Sequence, residues 1–267
     1  MTTLEFRDVV KTYRVRGRER RITAVDHVSF TIESGRTTAL VGQSGSGKST
    51  IAKLLMQLER PDSGAVLLDG EPVRRRGAGL KRYRSAVQMV FQDPFASLNP
   101  FHTVEHHLAR PLRLHGRAAG ADEVAAGVRQ LLERVRLTPT EEYAEKHPHE
   151  LSGGQRQRVA IARALAPEPG VLVADEPVSM LDVSIRLGVL NLLAGLQRER
   201  DLGVLYITHD LATARHFSDD VLVMYRGAIV ERGPADEVIL NPQHEYTKRL
   251  AAAAPDPEKR LQQLDRA

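Results

Sequence analysis

The 267-residue chain contains no cysteine and no tryptophan, and aromatic residues make up only 4% of it. Without thiols it can form no disulfide, no thiolate metal site and no cysteine-held iron–sulfur cluster. The excess of one charge sign is small too: 38 basic residues against 34 acidic leave a formal charge of +4, with a sequence pI near 9.5. That excess is too small to argue for a nucleic-acid partner, and no aromatic ladder runs through the arginine-rich stretches 14–21 and 74–84. Both stretches are expected to be solvated loops, contact with anionic lipid headgroups being the lesser alternative. No apolar run is long enough to cross a bilayer, and residues 1–8 lack the basic-then-apolar pattern of a secretion signal. Any attachment to a membrane is therefore expected to come through partners.

Hydrophobic residues reach 42%, enough for one α/β unit or a core with a subdomain. Thr37-Thr38-Ala39-Leu40-Val41 reads as a buried strand and residues 49–58 as an apolar-faced helix. Between and into them runs Gly42-Gln43-Ser44-Gly45-Ser46-Gly47-Lys48-Ser49-Thr50. A strand, a glycine-rich turn and a helix in that order make a phosphate cradle. The glycines let successive backbone N–H groups turn inward, and the helix adds its positive N-terminal end. Lys48 suits the β- and γ-phosphates as a point charge, the Ser49 hydroxyl suits Mg²⁺, and Thr50 suits the α-phosphate side. The plain alternative is a turn that binds nothing. Average residue usage puts a chance match at roughly one chain in a hundred, and the flanking strand and helix lower that further.

Residues 4–10 alternate and 28–32 resemble a second strand, an antiparallel start whose first strand Tyr13 closes. Short apolar runs at 66–68 and 87–91 continue the core. From 93 to 166 the pattern turns helical and charged, interrupted by Pro94, Pro100, Pro111, Pro139 and Pro148. Residues 171–174 and 204–207 return as fully apolar strands with a helical stretch between them, as parallel β-α-β units require. A closing hairpin is expected from 220–225 and 228–231 about Gly227. The expected division is a nucleotide-binding core over 1–92 and 167–235, a helical subdomain over 93–166, and a C-terminal extension over 236–267 with a helix within 258–265.

The strand at 171–174 runs into Asp175-Glu176-Pro177, which sets two carboxylates at its carboxyl end, the edge where open α/β sheets bind ligands. Asp175 suits Mg²⁺ through its water shell, and Glu176 suits the orientation or deprotonation of a water. In Leu151-Ser152-Gly153-Gly154-Gln155, Ser152 and Gln155 form a capping box that opens a helix over 156–166. The two glycines leave N–H groups that can face an anion.

Taken in order, these motifs resemble the nucleotide-binding subunit of ATP-binding cassette (ABC) transporters over nearly the whole chain. The resemblance implies an α/β fold: a P-loop NTPase core of mostly parallel sheet, with an antiparallel β-subdomain and an inserted helical subdomain. It implies ATP and Mg²⁺ as ligands, with Ser49, Gln92 and Asp175 about the metal. It further implies that Tyr13 stacks on adenine and that Gln92 relays nucleotide state to membrane subunits. Ser179-Met180-Leu181-Asp182 matches the D-loop, with Met180 where alanine is common, and His209 matches the histidine that contacts the γ-phosphate. Catalysis is thereby assigned to Glu176, His209, Lys48 and Gln92. Residues 151–155 are implied to act on nucleotide held by another subunit, so two cassettes, identical or homologous, close on ATP. The other nine histidines, His106, His107, His147 and His149 among them, are expected on the surface or in loops.

Gln92-Asp93-Pro94-Phe95-Ala96-Ser97-Leu98-Asn99-Pro100 is similar to the version found in the dipeptide, oligopeptide and nickel importer group. So is Asn241-Pro242-Gln243-His244-Glu245-Tyr246-Thr247, although Glu245 stands where that group has proline. The implied role is ATP hydrolysis that energises an importer of di- or oligopeptides, with nickel or another small solute as the alternative. An exporter cassette and a soluble non-transport ATPase are the other readings. The implied partners are a second cassette, transmembrane permease subunits at the cytoplasmic face of the membrane and, indirectly, an extracytoplasmic solute-binding protein. No nucleic acid is expected.

Overall fold

Residues 2–14 and 21–253 are described by the structure, a computed structural model. The helix expected within 258–265 and most of the stretch 14–21 lie outside the described residues. The strands are β1 (Thr3–Arg14), β2 (Arg21–Glu33), β3 (Thr37–Val41), β4 (Ser63–Leu68), β5 (Glu71–Pro72), β6 (Val87–Val90), β7 (Val171–Asp175), β8 (Gly203–Thr208), β9 (Asp220–Tyr225) and β10 (Ala228–Pro234). The helices are α1 (Lys48–Leu55), α2 (Gly77–Ala86), α3 (Pro94–Ser97), α4 (Val104–Leu114), α5 (Ala121–Arg134), α6 (Thr140–Glu145), α7 (Gly153–Leu165), α8 (Val183–Arg200), α9 (Leu211–Phe217), α10 (Ala235–Leu240) and α11 (Glu245–Ala253).

An antiparallel sheet of order β2-β1-β4-β5 faces a six-stranded sheet of order β10-β9-β3-β8-β7-β6. The larger sheet is parallel except for β10, which returns antiparallel to β9. Arg226 (φ 48°) and Gly227 (φ 90°) make that reversal, the two positive φ values that a two-residue hairpin turn needs.

The unbroken apolar runs of β3, β7 and β8 have a simple cause. Side chains alternate across a strand, and each face of the sheet is covered. Ala39, Val41, Leu172, Ala174, Val204 and Tyr206 point into a core shared with the helices, among them α4, α5, α7 and α8. Leu40, Val171, Val173, Leu205 and Ile207 point into a second core, where α1 and Tyr83 are packed together with residues of β1, β2 and β4. A polar residue on either face would be buried, which is why period-two polarity is missing here.

Three local expectations are corrected. His107, expected on the surface or in a loop, is buried on α4 with its Nε2 3.0 Å from the Asn99 carbonyl. The stretch 74–84 is not a solvated loop, because residues 77–86 form α2; buried Tyr83 donates its hydroxyl hydrogen to the Leu55 carbonyl, while the arginines keep to the exposed face. Helix α1 stops at Leu55 rather than near 58, since Gln57 turns left-handed at φ 57° and Leu58 is exposed.

Leu108 on α4 is 0% exposed at the centre of the helical core. Leu108→Ala removes three carbons from a site that cannot refill, so stability should fall by about 2–5 kcal/mol. Denaturant unfolding measures this; a loss below about 1 kcal/mol would mean that the layer is loosely packed.

Candidate nucleotide site

The strand register puts the site together. Val41 pairs with Thr208 and Asp175 with Ile207, and Val90 pairs with Ala174. The segments that follow β3, β6, β7 and β8 therefore leave the sheet at one edge, carrying residues 42–50, Gln92, Glu176 and His209 with them.

The loop after β3 is shaped by close approach. A Cβ at Gly42 would come within 2.3 Å of the Met224 carbonyl oxygen, and one at Gly47 within 2.2 Å of the Ala24 carbonyl oxygen. Both also have positive φ, 159° and 117°, so only glycine fits. The N–H groups of Ser44, Gly45, Gly47, Lys48 and Ser49 donate to no described residue. Buried Ser46 Oγ has no hydrogen-bond partner either. Such a run of donors at the start of α1 fits a phosphate chain. Lys48 is buried, and its Nζ donates to the carbonyls of Gly42 (2.6 Å) and Gln43 (3.1 Å). Burial holds this ammonium below the usual lysine range, opposed by the negative charge of Glu176 and Asp175. Ser49 is exposed and Thr50 half-buried at the same helix start.

Across from Lys48, Asp175 ends β7. Burial first and the neighbouring Glu176 second push its carboxyl up to about 6, with Lys48 acting against them. Glu176 adopts φ 44°, and its N–H donates to the Ile207 carbonyl at 2.9 Å. That turn sets the carboxylate between two groups: Gln92 Nε2 donates to Oε2 at 3.0 Å, and His209 Nδ1 lies 3.0 Å from Oε1. Gln92 and His209 thus each contact Glu176 directly. Tyr13, at the end of β1, donates its hydroxyl to Glu59 and is half-buried, with Lys11 Nζ 5.5 Å from its ring centroid.

The segment 151–155 lies on the helical side. Ser152 Oγ accepts from the Gln155 N–H at 3.3 Å, and Gln155 Oε1 accepts from the Ser152 N–H at 2.9 Å, a closed capping box at the start of α7. Gly153 and Gly154 face Leu181 and Ile185, so a Cβ on Gly154 would meet Ile185 Cγ2 at 2.6 Å. Ser179 Oγ donates to the Glu176 carbonyl at 3.0 Å, while Asp182 precedes α8. Residues 179–182 therefore link the Glu176 turn to the start of α7. No hydrogen bond among the described residues joins 151–155 to 42–50.

Residues 25–179 match the family described as ABC transporter. The chain belongs to that family. It is 49% identical over 243 residues to the glutathione import ATP-binding protein GsiA of Salmonella choleraesuis (strain SC-B67), covering 90% of this chain and 38% of that protein. To GsiA of Escherichia coli (strain K12) it is 48% identical over 248 residues, 92% of this chain and 39% of the relative. The chain thus spans about two fifths of the length of these curated relatives. Among solved structures, cbiO1 from Clostridium perfringens, described as part of the ABC transporter complex cbiONQ, superposes with TM-score 0.79 at 28% identity, covering 99% of this chain and 98% of that one. The dimeric post-hydrolysis structure of the ATP-binding cassette MJ0796 bound to ADP and Pi gives TM-score 0.76 at 31% identity, with 87% and 98% covered. Membership and these superpositions give this chain the fold of an ATP-binding cassette, a P-loop NTPase.

Sequence reasoning alone missed several supports of this ABC site. Arg163 on α7 donates to the Ser97 carbonyl, and Arg156 lies 4.0 Å over the Phe95 ring, so two arginines of α7 hold the segment after Gln92. Tyr143 accepts from Gln155 Nε2 at 2.9 Å. Spacing gives no signal for such long-range pairs. Beside Gln92 opens a cleft of about 880 Å³, lined by Phe91, Ala96, His107, Leu114 and Arg163 among others.

The raised Asp175 pKa has a stability consequence. Unfolded, the carboxyl releases its proton near 3.8; folded, it holds it to about 6. Below the lower value both states are protonated, so no difference arises. Through the window between them the folded state binds the extra proton, and stability falls as pH rises. At pH 7.5 the cost is fully present, and Asp175→Asn should stabilise the nucleotide-free chain by at most about 3 kcal/mol. Denaturant unfolding at pH 4 and pH 7.5 checks it; equal pH dependence in both proteins would rule out Asp175 as the source.

Proposed function

We propose that the chain hydrolyses ATP and thereby energises an importer of peptides or peptide-like solutes. The observation that carries the hydrolytic part is the Glu176 carboxylate held by Gln92 and His209 at the edge where Lys48 emerges. A carboxylate gripped on both oxygens is positioned to orient a water and accept its proton. Lys48 turns from its loop carbonyls to phosphate, the N–H groups of Ser44, Gly45, Gly47, Lys48 and Ser49 take the remaining phosphate oxygens, and His209 contacts the terminal phosphate. Tyr13 supports the adenine ring. Ser49, Asp175 and Gln92 would hold Mg²⁺, which when bound offsets charge on the phosphate oxygens.

The N–H groups of Gly153 and Gly154 begin a helix yet make no bond to the loop at 42–50, so we assign them to nucleotide held by a second cassette. Closure on ATP and release after hydrolysis then form a ligand-driven population shift. The dimeric MJ0796 cassette supports this reading.

The import direction and the solute class are inferred from the identity to glutathione import proteins; glutathione is a peptide. Nickel or another small solute is the alternative. We place the permease contact at the cleft beside Gln92, whose surroundings expose Phe91, Phe95 and Leu114. Because no helix among the described residues is long and apolar enough to cross a membrane, this contact would bring the cassette to the cytoplasmic face. A solute-binding protein would act through the permease.

Glu176→Gln keeps the size and shape of the side chain but cannot accept the proton. It should bind Mg-ATP as the parent does, lose at least about 100-fold in turnover, and accumulate an ATP-bound dimer in light scattering. Normal turnover would remove Glu176 from the mechanism. Lys48→Ala should abolish measurable ATP binding in calorimetry, and parent-like affinity would refute the phosphate-loop assignment.

A further inference from the structure

One peptide unit of the phosphate loop is gripped from both sides. The Gly42 carbonyl accepts from Lys48 Nζ at 2.6 Å, while the other end of that peptide, the Gln43 N–H, donates to the Tyr246 hydroxyl at 2.9 Å. Tyr246 lies 203 residues away in sequence, at the start of α11, and is 4% exposed. Its ring stacks on Tyr225 with centroids 4.1 Å apart. Tyr225 ends β9, the neighbour of β3 from which the loop departs.

The tyrosine is itself anchored. Glu231 on β10 accepts the N–H groups of Gln243 (2.7 Å) and His244 (3.0 Å), and His244 Nδ1 accepts the Tyr246 N–H at 3.1 Å. Glu245, the residue that departs from the resembled motif, is the first residue of α11 and pairs with Lys248 at 3.0 Å. Proline and an acid are both at home in a first helical turn, so the exchange leaves the anchor intact.

We propose that Tyr246 is a positioning residue of the nucleotide site: its hydroxyl fixes the Gly42–Gln43 peptide, so the loop keeps its shape when Lys48 leaves the Gly42 carbonyl for phosphate. This rests on reading residues 42–50 as the phosphate loop. Before nucleotide binds, lysine and tyrosine share the hold on that peptide. Afterwards the tyrosine holds it alone, and its loss costs affinity because the loop must then be ordered by the nucleotide. Helix α11 thereby forms part of the nucleotide site without touching nucleotide.

The test is calorimetric titration of the full chain with Mg-ATP. Tyr246→Phe keeps the stacked ring and removes only the hydroxyl; its Kd should rise about threefold to tenfold, the worth of one hydrogen bond. The fraction of binding-competent chain should stay at the parent value. In turnover assays KM should rise by the same factor with kcat within about twofold of the parent. Glu231→Gln, which loosens the anchor without touching the loop, should weaken ATP in the same direction by a smaller factor. Unchanged affinity in both variants overturns the proposal. So does a lower competent fraction at unchanged Kd, the mark of a purely structural role. Lys48→Ala separates the two claims: if it binds ATP like the parent, the phosphate-loop reading fails and takes this proposal with it, whereas lost binding there beside parent-like Tyr246→Phe sinks the proposal alone.

Discussion

The left-handed turn at Glu176 is the constraint on which the site depends. At φ 44° a glutamate occupies backbone space that side chains seldom enter, a strain of order 1–3 kcal/mol. What holds it is the hydrogen bond from its N–H to Ile207, an extension of the β7–β8 ladder by one residue. The reward is placement: the chain turns sharply enough to aim the carboxylate back across the sheet edge, between Gln92 after β6 and His209 after β8. Because β7 lies between those two strands, no other strand end could reach both partners. A relaxed extended residue at 176 would carry the carboxylate away from them.

The sheet that supports this turn is buried on both faces, and that makes the platform stiff. Alternate residues of β3, β7 and β8 feed two separate cores, one shared with the helical layer and one with α1 and the antiparallel sheet. Movement of one strand end relative to another would open voids in both cores at once, at a cost set by close packing. The segment 151–155 is built differently. It sits on α7, whose arginines hold the residues after Gln92, and its glycines pack on Leu181 and Ile185 beyond the Glu176 turn. The same few residues therefore join the Glu176 carboxylate, the loop after β6 and the surface we propose for a second cassette.

Much of this was legible in the residues, for identifiable reasons. The glycines of the loop at 42–50 stand out because close backbone approach at Gly42 and Gly47 admits no side chain, and the capping box because its two bonds span three residues. The apolar runs of β7 and β8 gave parallel strands because both their faces are buried. Strand order, by contrast, is set by pairings between distant segments such as β3 with β8 and β9, and no local pattern encodes it. The stretch 74–84 misled because a ten-residue helix with a single buried residue, Tyr83, reads as polar coil. The bond from Gln43 to Tyr246 joins opposite ends of the chain; the surrounding motif was noticed as a subgroup likeness, yet nothing in it points to the phosphate loop.

The central claim is that two chains share each nucleotide, Lys48 of one facing Ser152 of the other. The absence of cysteine makes it testable without background thiols, and Ser44 in the loop and Ser152 at the head of α7 are both exposed. The most direct measurement is crosslinking of the Ser44→Cys/Ser152→Cys chain with a short bis-thiol reagent, carried out in a Glu176→Gln background with and without Mg-ATP. The account predicts a covalent dimer that forms only with ATP and requires both cysteines. Crosslinking that ignores ATP, or that joins the two positions within one chain, would contradict it.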